Sequence, residues 1–143
     1  MIKIMGNNNL KPLTVTFFIS GIWDLIAGIL YLFAIGTGRI IDNPQAHPFY
    51  CVFLASFFFC FAYIQFFSAF NMRRYIFNVG CLILGRLFYV IQLYWYILFV
   101  KDFPSVFWFT GIIDMTFIVL YFVFAFRGGA GMKDLFLPFC EKA

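Results

Sequence analysis

Residues 104–126 read PSVFWFTGIIDMTFIVLYFVFAF, and Asp114 is the only charged side chain among them. An α-helix rises about 1.5 Å per residue, so this run is long enough to cross the ~30 Å hydrocarbon core of a bilayer. Inside lipid, each backbone polar group must be bonded within its own segment, and the run is too long and too continuously apolar for a barrel strand. The stretch therefore predicts a transmembrane α-helix.

Three further apolar runs of this kind lie at 13–36, 48–70 and 75–100. Short polar or turn-forming segments separate the four runs, which predicts that neighbouring helices are antiparallel. We expect an all-α fold, a single integral membrane domain over 1–143 that is built as an antiparallel bundle of four transmembrane helices. A glycine-rich break then leads into a short tail, 128–143, whose apolar residues are expected to rest on the membrane surface.

The composition agrees with a membrane location. Hydrophobic types make up 64% of the residues and charged types only 11%, whereas soluble domains are nearer half apolar and a quarter charged. A soluble fold of 143 residues could not hide so much apolar surface. The net charge of +4 does not indicate a nucleic-acid partner, because the basic residues lie at the ends of the apolar runs. The lipid bilayer is the first partner that the sequence predicts.

The distribution of lysine and arginine predicts the orientation. Two basic residues, Arg39 and Lys101, lie on one side of the predicted bundle. The other side carries Lys3, Lys11, Arg73, Arg74, Arg127, Lys133 and Lys142. The positive-inside rule then places both termini in the cytoplasm. We expect a multi-pass protein of the inner or plasma membrane if the source is bacterial, with an uncleaved first helix.

The cysteines and the histidine do not form a metal or redox motif. None of the four cysteines (Cys51, Cys60, Cys81 and Cys140) belongs to a CxxC pair, and His47 is the only histidine. We therefore expect no disulfide framework, no metal site and no cofactor.

Three charged residues lie about halfway along their predicted spans, and they are the most informative residues in the chain. These are Asp24 in the first span, Arg86 in the third and Asp114 in the fourth. An unpaired charge near the bilayer centre costs about 3 kcal/mol or more. The sequence therefore predicts a cluster in the bundle interior, with Arg86 between the two aspartates.

Small and polar residues accompany these charges at helical spacing. Gly21, Gly28 and Tyr31 share a stripe with Asp24, while Gly111 and Tyr121 share one with Asp114. On the second span, a small-residue seam surrounds Gln65, which we expect to act as an interhelical hydrogen-bond partner. That seam consists of Ala55, Ala62 and Ala69. The predicted polar cluster comprises Asp24, Arg86, Asp114, Gln65, Tyr31 and Tyr121.

The pattern GIxDxxxxxLY occurs at 21–31 and again at 111–121. Because the first and fourth spans should cross in opposite directions, a true repeat would have inverted symmetry. Apolar bias produces such matches as well, so both explanations remain open.

The chain resembles the small four-helix membrane proteins of the DoxX-like kind. The resemblance is carried by the acid in the first helix, the pair Gly85-Arg86 in the third and Gly111-x-x-Asp114 in the fourth, together with the length and the predicted orientation. It implies four helices and, for some members, a role as an accessory membrane subunit of an oxidoreductase system. It supplies no catalytic residue.

Three functions are compatible with the sequence. The first is a non-catalytic accessory or structural subunit, which would bind other membrane subunits or a second copy of itself. The second is a bundle that binds or transports a small molecule, a lipid or an ion at the polar cluster. The third, an isomerase-like enzyme that uses an aspartate as acid and base, ranks last because neither a nucleophile nor a metal ligand accompanies it.

Overall fold

The computed structural model describes residues 8–35, 48–101 and 107–137, and its regular structure in these ranges is entirely helical. A 3-10 turn, Asn8–Leu10, precedes helix α1 (Lys11–Leu30), which continues as a π-helical segment, Tyr31–Ile35. Helices α2 (Pro48–Phe70), α3 (Ile76–Phe99) and α4 (Trp108–Arg127) follow, and a short helix α5 (Met132–Phe136) comes last. The predicted loop 37–47 with His47, the positions 102–106 and Cys140 lie outside the described residues.

Four of these helices are long and apolar enough to cross a membrane: Lys11–Ala34, Phe49–Phe70, Ile76–Phe99 and Trp108–Arg127. They coincide with the four predicted spans to within a few residues. Hydroxyl groups inside them are bonded to the backbone of the preceding turn, as in the bond from Ser56 to the Val52 carbonyl and that from Thr116 to the Ile112 carbonyl. Such bonds satisfy a polar group without any partner outside the helix.

The chain divides into two compact units. The α1–α2 unit is Phe17–Phe70, and the α3–α4 unit comprises the residues up to Thr16 and those from Asn71 onward. Helix α1 is continuous through the boundary, so its first six residues belong to the α3–α4 unit.

Aromatic rings and glycines bring the two helices of the α1–α2 unit together. Phe18 meets Phe66 with ring centroids 5.1 Å apart, and further along α1 Tyr31 stacks on Phe58 at 5.4 Å. A Cβ at Gly21 would lie 2.9 Å from the Phe66 ring, so the missing side chain allows the close approach.

In the α3–α4 unit, residues late in α3 contact residues early in α4. The Tyr94 hydroxyl donates to the Trp108 carbonyl at 3.0 Å, and Tyr89 shares a 2.7 Å hydrogen bond with Thr110. A Cβ at Gly111 would lie 2.9 Å from the Tyr94 ring. These contacts fix the register in which α4 lies along α3.

Helix α5 folds back onto the beginning of α3. Gly129 turns the chain with a φ of 85°, a left-handed conformation that glycine adopts without steric cost. Asp134 then accepts a 2.7 Å bond from the Gly131 N–H and so caps the start of α5. Leu135 is completely buried, and its carbonyl oxygen occupies the space that a Cβ at Gly80 would need.

Candidate functional site

Arg86 and Asp114 form a buried ion pair between α3 and α4. The Arg86 guanidinium donates through Nη1 to Asp114 Oδ1, and the two residues are only 6% and 7% exposed. The Arg86 guanidinium carbon also lies 5.1 Å from the centroid of the Phe117 ring, one turn beyond Asp114 on α4. The cation is therefore held by a carboxylate and by an aromatic face, both of which favour a positive charge away from water.

Tyr121 lies two turns beyond Asp114 on the same face of α4. It is completely buried, and its ring stacks on Phe117 with centroids 6.1 Å apart. Asp114, Phe117 and Tyr121 therefore form one inward stripe at spacings of three and four residues. Phe117 is a component of the site that the sequence analysis did not name, although its position three residues after Asp114 was a usable signal.

Asp24 is buried in the α1–α2 unit, where Gln65 of α2 binds it. Gln65 Nε2 donates to Asp24 Oδ2 and also, at 3.1 Å, to the Phe61 carbonyl one turn earlier in α2. Both amide hydrogens are thus used, and together the two acceptors orient the side chain. Gln65 makes the interhelical bond expected of it, and its neighbours Ala55 and Ala62 are buried as well.

Two serines that the sequence analysis did not place in the site are completely buried near this bond. Ser20 precedes Asp24 by one turn on α1, and Ser68 follows Gln65 by three residues on α2. Helical spacing was the sequence signal that could have placed both serines here, because each lies on the same helix face as Asp24 or Gln65. Together with Asp24 and Gln65 these serines form the polar layer of the α1–α2 unit.

The structure therefore gives each mid-span aspartate a hydrogen-bond partner on the neighbouring helix of its own unit. Asp114 binds Arg86, and Asp24 binds Gln65. The predicted arrangement with Arg86 between both aspartates stays a prediction. Tyr31 stacks on Phe58 in one unit, and Tyr121 stacks on Phe117 in the other.

Comparison with protein-family models, with curated proteins and with solved structures gave no match. The DoxX-like resemblance therefore rests on the sequence features alone. One of those features, Gly85, is exposed and a Cβ there would point into open space, whereas the adjacent Arg86 is buried.

The two copies of the GIxDxxxxxLY pattern share a pattern of burial. Gly21 and Gly111 are buried, as are Asp24 and Asp114, while Ile22 and Ile112 are 39% and 49% exposed. Each copy thus directs its glycine and its acid inward and its first isoleucine outward, which is the periodicity of one helical face.

The described ranges contain no cluster of side chains arranged for metal binding or for thiol chemistry. No group of three histidine, cysteine, aspartate or glutamate side chains there could hold a metal ion. Cys51 is buried, Cys60 and Cys81 are exposed, and all three are free thiols.

Two shallow grooves lie on the α3–α4 unit, and neither is lined by the charged pair. One, of about 350 Å³, is bordered by Tyr94, Ile112, Met115, Thr116, Val119 and Leu120. The other, of about 390 Å³, is bordered by Lys11, Pro12, Val15, Thr16 and Phe124. Both have predominantly apolar walls.

Proposed function

We propose that this protein is a non-catalytic integral membrane protein that serves as an accessory or structural subunit of a larger membrane complex. The observation that carries the proposal is that the mid-helix polar groups bind one another across neighbouring helices. Arg86 binds Asp114, and Gln65 binds Asp24, in each case across two consecutive helices. Polar groups arranged in this way fix which helices pair and in which register.

Apolar helix faces supply the surface through which such a subunit would act. On α2, the rings of Phe49, Phe53, Phe57 and Phe61 follow one another at centroid distances of 6.0, 4.8 and 6.3 Å. These four side chains are between 38% and 62% exposed. In a bilayer the exposed rings of this phenylalanine ladder offer a rigid contact surface to the helix of another protein.

The orientation belongs to the same proposal. The order of contacts within each unit supports an antiparallel bundle, because later residues of one helix meet earlier residues of the next. Five described cations lie at the start of α1, before α3, and at or after the end of α4, namely Lys11, Arg73, Arg74, Arg127 and Lys133, whereas Lys101 alone follows the end of α3. The positive-inside rule places these ends, and both termini, in the cytoplasm.

Site-specific photo-crosslinking tests the subunit proposal. A photoreactive residue at Phe57 should give one reproducible adduct in native membranes, with the same partner protein recovered from Phe53. The matched control is Ile83, which is 1% exposed and should give no intermolecular adduct. An adduct with a second copy of the chain would identify self-association as the mode of assembly. Isolation of an adduct-free monomer after gentle solubilisation would contradict the proposal.

A second candidate function is supported by the polar layer of the α1–α2 unit. Ser20, Asp24, Gln65 and Ser68 are all at most 3% exposed, and such intramembrane polar residues often mark a ligand or ion pathway. This candidate is a bundle that binds or transports a small molecule, a lipid or an ion. It predicts that Asp24→Asn abolishes binding or flux and leaves the fold intact, whereas the subunit proposal predicts an unchanged crosslinked complex.

A further inference from the structure

The groove between the beginning of α1 and the end of α4 has a charged end and an apolar body. Lys11 begins α1 and is exposed, whereas Val15 and Phe124 supply apolar wall one turn or more away from the helix ends. The Thr16 hydroxyl donates to the Pro12 carbonyl at 2.9 Å, so its hydrogen is used within the helix. Among the side chains that border the groove, Lys11 is the one that offers donors to a ligand.

A second cation, Arg127, ends α4 near the groove but does not line it. Arg127 is exposed and follows Phe124 by three residues, which places it on the same face of α4 and nearer the helix end. Leu10 contacts Gly128, and these two residues are the chain neighbours of Lys11 and Arg127. The two cations therefore flank one contact between the segment before α1 and the residue after α4.

No acidic side chain lines the groove among the described residues. Asp114 is buried and binds Arg86, and Asp134 accepts the N–H of Gly131. The described lining of the groove therefore combines a positive charge at the helix end with apolar walls deeper along the two membrane-spanning helices. Helix ends of this kind lie at the depth of the lipid headgroups.

We propose that this groove is a binding site for one anionic phospholipid. The lipid phosphate and the acidic headgroup bind Lys11 and Arg127, and an acyl chain lies against Val15 and Phe124. The shape favours a lipid over a soluble anion, because the open apolar walls contribute to binding only if the ligand carries a chain. This site is independent of the proposed role as a subunit.

The test measures lipid binding to the purified full-length chain by native mass spectrometry. Phosphatidylglycerol and phosphatidylcholine with the same acyl chains are the probes. Each cation near a lipid surface contributes about fivefold to anionic affinity, so Lys11→Ala/Arg127→Ala should weaken phosphatidylglycerol binding on the order of 10- to 30-fold. Phosphatidylcholine binding should change by less than about twofold, which shows that the variant retains its fold.

Two variants that remove charges elsewhere and one variant that fills the groove distinguish binding at this site from general electrostatic attraction to anionic lipid. Arg73→Ala/Arg74→Ala removes two cations near the start of α3, and Lys101→Ala removes one just beyond its other end. Neither should weaken phosphatidylglycerol binding by more than about twofold, whereas Val15→Trp, which fills the groove and keeps both charges, should weaken it. An equal loss in Arg73→Ala/Arg74→Ala, no loss in Val15→Trp, or displacement of the lipid by millimolar inorganic phosphate would each overturn the proposal.

Discussion

The Arg86 guanidinium on α3 donates to the Asp114 carboxylate on α4, and both side chains are buried. The pair joins two helices that lie next to each other in the chain and that also share hydrogen bonds at Tyr89 and Tyr94. A charge at the middle of a membrane helix is tolerated when its counterion is fixed on the adjacent helix. The ion pair therefore makes the packing of α3 on α4 specific.

Breaking this pair should destabilise the protein strongly. Arg86→Met removes the cation that binds Asp114 and should cost about 3–5 kcal/mol of the free energy of unfolding, as for other buried pairs that lose one partner. The double variant Arg86→Met/Asp114→Leu should recover most of that loss, because no buried charge remains. Unfolding in a mild detergent, analysed as a double-mutant cycle, measures the coupling. Additive losses in the two single variants would contradict a direct pair.

The bond between Gln65 and Asp24 should respond differently to two substitutions. Gln65→Leu removes the donor and should cost about 1–3 kcal/mol, because it takes one hydrogen bond away from a buried acceptor. Asp24→Asn keeps an oxygen acceptor for Gln65 and should cost less. The same unfolding measurement decides the order of the two variants. If Asp24→Asn were the more damaging, the negative charge itself would matter to the fold.

Gly80 and Gly85 offer a matched pair of substitutions on one helix. Gly80→Ala places a methyl group where the Leu135 carbonyl lies and should displace α5 from α3. Gly85→Ala meets open space and should be neutral or slightly stabilising, because alanine is the better helix former. Maleimide labelling of a cysteine introduced at the buried Leu135 reports the displacement. Equal labelling in the two backgrounds would show that α5 does not depend on this contact.

The orientation can be tested at two exposed cations on opposite ends of α3. In a background with Cys51, Cys60, Cys81 and Cys140 replaced, Lys101→Cys should react with a membrane-impermeant maleimide in intact cells. Arg73→Cys should react only after permeabilisation, because the positive-inside rule places it in the cytoplasm. The reverse labelling pattern would invert the proposed topology.

The helical spans were predictable because hydropathy over some twenty residues is a property of the local sequence. The predicted span 48–70 coincides with α2, and 75–100 exceeds α3 by one residue at each end. At the first span, α1 starts earlier and becomes π-helical at Tyr31. At the fourth span, α4 starts at Trp108, and the predicted positions 104–106 lie outside the described residues. Ends depend on local turns, which composition describes poorly.

The partners of the polar residues were only partly predictable. Burial of Asp24, Arg86 and Asp114 follows from the energetics of charge in hydrocarbon, but the choice of partner depends on helix rotation and register. That choice is set by contacts such as Tyr94 with Trp108. The docking of Leu135 on Gly80 was not foreseen, because it depends on a turn at Gly129 that redirects the chain.

The order of these residues along the chain also bears on how the protein enters the membrane. Arg86 is synthesised 28 residues before its counterion, so α3 reaches the translocon carrying a charge that costs about 3 kcal/mol to release into lipid alone. Once α4 emerges, the two helices can leave together as a neutralised hairpin. A chain truncated between α3 and α4 would lack the counterion of Arg86, and its third helix should insert less efficiently.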